Sequence, residues 1–138
     1  MKRIITTTVA AIALAVAGCG ANAEEESFKR DFNAAQAPLE KLMTDSAGAS
    51  DPAQMGKIAD GLDDTAAKMA KLDAPDHAKD ELDTFVKEVN ASADVMRDAQ
   101  KAMKDKDPDK MTTVLTDLQE RMTAVGTAQQ ALATAVNG

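Results

Sequence analysis

Beyond residue 27 the chain repeats one pattern, an apolar side chain every three or four positions with charged or small polar residues between. Phe28, Phe32, Ala35, Leu39 and Leu42 fall at 4-3-4-3 spacing, which brings all five to one face and predicts a helix over 25–45. Pro38 lies inside that stripe without breaking its phase, so the expectation is one kinked helix, or two meeting near Ala37. Met55, Ile58, Leu62, Ala66, Met69 and Leu72 predict a second helix over 52–72. From Ala78 the stripe runs Leu82, Phe85, Val89, Ser92 or Ala93, Met96, Ala99 and Met103, predicting a third over 76–104. Met111, Leu115, Leu118, Met122, Val125, Gln129, Leu132 and Val136 predict a fourth over 108–136.

The segments between the stripes carry stop and start signals. Thr44 to Asp51 is a loop by composition. Asp51-Pro52-Ala53-Gln54 then supplies an acid to cap the helix, a proline at its first position and Gln where a capping box needs it. Asp73-Ala74-Pro75-Asp76 makes a tight corner, and Asp107-Pro108 opens the fourth helix. Four helices with short connections, each with one apolar stripe near period 3.5, predict an all-α fold, an antiparallel up-down-up-down four-helix bundle. The rival arrangement is an extended or intermolecular coiled coil, which the short loops disfavour because each makes sequence neighbours antiparallel within one chain.

The first residues follow a different rule. Lys2 and Arg3 form a basic start, Ile4 to Val16 an apolar run, and Ala17-Gly18 two small residues before Cys19, the order of an export signal. The uncharged run is about 14 residues, short of the ~20 needed to span a bilayer as a helix. Val16-Ala17-Gly18-Cys19 resembles the lipobox of bacterial lipoproteins. The resemblance covers residues 1–19 and implies that residues 1–18 are a cleaved signal peptide, that Cys19 receives a diacylglycerol, and that the new amino terminus is often acylated too, commonly with palmitate. Residues 19–24 would then be a lipid-anchored tether and 25–138 the bundle, extracytoplasmic and held to a bacterial membrane by the lipid on Cys19. Gly20 lacks the acidic side chain that in such lipoproteins favours inner-membrane retention. The competing reading is an ordinary secretory signal cut after Ala21 or Ala23, because Ala21-Asn22-Ala23 is itself an A-x-A site.

Composition narrows the picture. Removing residues 1–18 takes away Lys2 and Arg3, so 16 basic side chains become 14 against an unchanged 23 acidic ones, and the net charge moves from −7 to −9. Such a body is repelled by nucleic acid and by anionic head groups, which leaves acyl chains as the attraction to a membrane. Cys19 is the sole cysteine, so no internal disulfide forms. Three phenylalanines and no Trp or Tyr argue against tight recognition of flat ligands or sugars. Glu24-Glu25-Glu26 either complements the first helix dipole or serves as a solvated spacer.

Chemistry-bearing residues are sparse. His77 is the single histidine, so paired Glu-x-x-His metal motifs and histidine-based triads are missing, and the expectation is a protein that is not an enzyme and holds no metal or cofactor. Asp63-Asp64 and Asp80, Glu81 and Asp83 read as solvated faces rather than a cation site. The methionines are more informative. Antiparallel pairing puts Met43, Met55, Met103 and Met111 at the end away from the tether, and helices three and four, longer by about seven residues, overhang the first pair by ~10 Å. Met103, Met111, Val114 and Leu115 are therefore the candidate partner surface, or else core beneath the Thr44 to Gln54 loop. The expected function is a protein-interaction or structural module of the cell envelope with an envelope protein as partner. The alternative is a carrier of a small ligand or metal, with copper on the thioethers or haem between Met69 and His77.

Overall fold

The computed structural model describes residues 23–45 and 51–137, with the backbone alone for 42–45. Among the described residues there are four α-helices and no strand: α1 (Ala23–Asp45), α2 (Pro52–Met69), α3 (Lys79–Asp105) and α4 (Pro108–Asn137). The fold is all-α and consistent with a four-helix bundle.

Helix α1 carries Glu24, Glu25 and Glu26 in its first turn and continues through Pro38 as one element. Proline brings no N–H to Ala34, so the helix loses one backbone bond there, and flanking turns hold it. Helix α2 starts as its sequence dictates. The Asp51 carboxylate accepts from the Ala53 N–H at 2.9 Å, and Pro52 opens the first turn. Its end differs from expectation. Regular α geometry stops at Met69, and the Lys71 and Leu72 N–H groups donate to Lys68 and Met69 carbonyls in a tightened turn. Leu72 still packs half-buried against the core, so its apolar character marks packing rather than helix length.

At the corner, Asp76–Ala78 forms a single 3-10 turn before α3 begins at Lys79. The α3–α4 turn needs two residues, and its geometry is that of a left-handed helix stop. Lys106 adopts φ 53, ψ 41, with its N–H near the Ala102 and Met103 carbonyls, while the Asp107 N–H donates to Ala102 at 3.1 Å. The Asp107 carboxylate then accepts from the Lys110 N–H at 3.0 Å and caps α4.

Helix α2 packs along α3 and α3 along α4, while α1 packs on α2. Side-chain pairs fix the directions. Arg97 of α3 meets Asp60 and Asp63 of α2, and Arg121 of α4 donates to Glu88 of α3 at 3.1 Å. The Lys110–Asp105 pair lies at the tip of the same hairpin, so numbering falls on one helix as it rises on the next. Glu25 lies beside His77, which sets the start of α1 over the α2–α3 corner.

The core is built on few large side chains. Phe28, Phe32, Met69, Leu132 and Val136 are wholly buried, with Ile58, Leu62, Leu82, Phe85 and Val89 around them and alanines filling the close approaches. Phe28 and Phe32 lie 5.8 Å apart between ring centroids, and Phe32 and Phe85 5.5 Å apart, tilted in both cases. Polar groups inside are satisfied locally. Ser92 donates to the Glu88 carbonyl at 2.9 Å, and among the described residues no buried side-chain N or O lacks a partner.

Two variants test this packing. Phe32→Ala removes the middle ring of the cluster and is expected to lower stability by about 3–5 kcal/mol in urea denaturation. Lys106→Gly relieves a left-handed backbone position and is expected to raise stability by about 1 kcal/mol in the same assay.

Candidate functional site

The distal end of the bundle, where α3 turns into α4, holds the residues that the sequence marks as a candidate partner surface. Met103 and Met111 flank the Lys106-Asp107 turn and are half-buried. Leu115 is open to solvent at 60% exposure. Val114 is not part of that surface. It is 7% exposed and faces inward, which corrects its assignment to a partner-facing patch. Met43 lies where side chains are not described, and Cys19 and the Thr44 to Gln54 loop between 46 and 50 lie outside the described residues.

The geometry of α4 explains the exchange between Val114 and Leu115. The stripe Met111, Leu115, Leu118, Met122, Val125, Gln129, Leu132, Val136 advances by seven residues per two turns, whereas a straight helix turns once per 3.6 residues. The stripe therefore rotates by about 20° per heptad around the helix. Its carboxyl-terminal members Leu132 and Val136 face the core, and its earlier members drift to the edge. Val114 and Ala128, one residue off the stripe, take the inward positions, while Leu115 and Met122 are the two large apolar side chains exposed, Met122 at 43%.

The flank of α4 beyond these two residues is rich in threonine, with Glu120 lying among Thr116, Gln119 and Thr123. Each exposed hydroxyl bonds within its own helix. Thr112 donates to the Pro108 carbonyl at 3.0 Å, Thr116 to Thr112 at 3.2 Å, Thr123 to Gln119 at 3.0 Å, Thr127 to Thr123 at 3.0 Å and Thr134 to Gln130 at 2.9 Å. This back-bonding occupies the donor and leaves the γ-methyl group free to be covered. Nothing in the one-dimensional pattern marks this property, because a threonine reads as polar whichever partner its hydroxyl has.

A second feature lies at the opposite end. A cleft of 570 Å³ separates the start of α1 from the corner, and Glu24, Asp31, Asp73, Asp76, His77 and Lys79 line it. The His77 Nε2 atom is 3.8 Å from Glu25 Oε1, an ion pair only while the imidazole is protonated, and His77 is half exposed. The Lys79 ammonium bonds Asp76 at 2.6 Å, which holds the Asp76 carboxyl below the usual range and raises Lys79. Among the described residues no three His, Cys, Asp or Glu side chains are grouped to hold a metal ion. Met69, wholly buried, and His77, half exposed at the corner, occupy different environments. Asp63-Asp64 separates in the same way. Asp63, with Asp60 and Asp94, surrounds the Arg97 guanidinium, whereas Asp64 is exposed. The Asp63 hydrogen bond pushes Arg97 further toward its charged form.

Comparison with known protein families, with curated proteins and with solved structures returned no match.

The distal turn carries its own electrostatic signature. The Lys110 N–H, then the Lys110 ammonium, hold the Asp107 carboxyl below its ordinary value near 3.8. A depressed carboxyl contributes stability that is present above the unfolded-state value and lost as pH falls through the folded one. Asp107→Asn is therefore expected to flatten the acid side of the stability profile below about pH 4, read by circular dichroism against the unsubstituted chain.

Proposed function

We propose that this chain is a lipid-anchored, extracytoplasmic helical bundle that acts as a protein-interaction or structural module of the bacterial cell envelope. The anchor rests on Val16-Ala17-Gly18-Cys19 behind a basic start and an apolar run. The interaction role rests on one observation, the exposure of Leu115 and Met122 along a rigid helix whose flanking hydroxyls are internally bonded. Two or three acyl chains at ~0.8 kcal/mol per buried methylene hold a protein at a membrane, and the acidic body adds no attraction of its own. Among the described residues no helix is long and apolar enough to cross a membrane. On this reading α3 and α4 project away from the membrane and present the tip at Met103, Met111 and Leu115 to an envelope partner, with Met122 further along the same side of α4.

Intact mass of the protein taken from its native membrane tests the anchor. The expected species is residues 19–138 with acyl chains attached, and Cys19→Ser is expected to abolish acylation and release the protein into the soluble fraction. A lipid-free species beginning at Asn22 or Glu24 would replace the anchored module with a secreted one.

A further inference from the structure

We propose that the distal end of the bundle is a thioether site for a soft monovalent metal, in which Met55, Met103 and Met111 together hold one copper(I) ion. The proposal goes beyond the interaction-module reading and depends neither on a partner at the tip nor on the lipid anchor.

Sequence spacing turns each of the three toward the bundle axis. Met55 precedes Ile58 and Leu62, both buried, by one and two helical turns, and it packs on the core. Met103 lies two heptads beyond buried Val89, with Met96 midway, so it continues the inner stripe of α3. Met111 lies one turn before buried Val114 on α4.

Helix register then brings them to one level. Between α2 and α3, Arg97 meets Asp60 and Asp63, and a Cβ built on Gly56 lies 2.5 Å from the Gln100 Nε2 atom. Those contacts set Met55 opposite Met103. Between α3 and α4, Arg121 meets Glu88 and Lys110 meets Asp105, which sets Met103 opposite Met111 across the Lys106-Asp107 turn. Helix α1, which starts over the far corner, carries Met43 in its last turn. Each helix therefore brings a methionine to the same end of the bundle. Met55, Met103 and Met111 are all half-buried, packed on one side and reachable from solvent on the other.

The donor set selects the ion. Thioethers are neutral and polarisable, and they suit Cu(I), whereas Mg²⁺ and Ca²⁺ need carboxylates and Zn²⁺ needs thiolate or imidazole. The adjoining buried positions Ala99, Ala102 and Val114 are apolar and supply no hard ligand. Acids of the nearby turn are already engaged, since Asp105 and Asp107 both pair with Lys110, and Asp107 also accepts from the Lys110 N–H. His77 lies at the opposite end, which counts against zinc or haem at the tip but has no bearing on thioether coordination.

Silver(I), an air-stable soft monovalent probe, tests the site on the full chain carrying Cys19→Ser, which removes the only thiol. Saturable binding of one ion per chain is expected, with the ε-methyl NMR signals of Met55, Met103 and Met111 moving together. Signals of buried Met69 and exposed Met122 are expected to stay in place. Met103→Leu, a swap of similar volume, is expected to weaken binding at least tenfold while leaving the metal-free melting temperature nearly unchanged. Met122→Leu is expected to leave both as they are. Copper(I), supplied under reducing conditions in competition with a chromophoric chelator, is expected to give the same stoichiometry and the same order of variants. Binding that does not saturate below about 100 μM silver, that moves Met122 equally, or that survives Met103→Leu combined with Met111→Leu overturns the site. Silver bound where copper(I) is not overturns the copper assignment. Each of these results leaves the lipid-anchored module standing, because intact mass and the fractionation of Cys19→Ser judge that reading separately.

Discussion

The ring contact between Phe32 on α1 and Phe85 on α3 is the constraint on which the rest of the structure depends. The chain has three aromatic side chains, and all three sit in this one cluster. A single cysteine leaves packing as the source of stability. Helices α2, α3 and α4 pack as sequential neighbours. The cluster ties α1, which packs on α2, to α3 as well, with Leu132 and Val136 of α4 in the same core. Many of the other buried positions are alanine, which contributes little apolar area.

Charge on this molecule is distributed with the same economy. Inter-helix pairs such as Arg97 with Asp60 and Asp63, and Arg121 with Glu88, are partly exposed and align neighbouring helices more than they strengthen them. Helices α1, α2 and α3 carry the acidic excess, while the second half of α4 carries none. Helix α4 thus has two seams of different chemistry. One is apolar and buried, and the other is open, with Leu115 and Met122 exposed among polar residues.

Much of the fold is legible in the sequence. Asp51-Pro52 and Asp107-Pro108 announce helix starts through capping chemistry that is local to a few residues, and in both the aspartate carboxylate accepts from a backbone N–H of the first turn. The four apolar stripes correctly place Phe28, Phe32, Phe85, Leu132 and Val136 inside. What was not legible depends on quantities that accumulate along a helix or arise between helices. The stripe of α4 drifts, so Val114 rather than Leu115 is buried and Met122 is exposed. Leu72 packs on the core from a tightened turn beyond the end of α2. Exposure along α4 is legible only in part for the same reason: Leu115 reads as a surface residue, but the exposure of Met122 and the internal bonding of the threonines need three-dimensional placement.

The tight corner at Ala70 to Ala78 and the two-residue turn at Lys106-Asp107 also govern how the fold is reached. Each makes its flanking helices partners over a short stretch of chain, and contacts of that kind close in microseconds to milliseconds. A chain emerging amino terminus first completes the α2–α3 hairpin before α4 has appeared. Helix α1 packs on α2 and meets Phe85 of α3, so its rings have partners before α4, which brings Leu132 and Val136 to the core, is made.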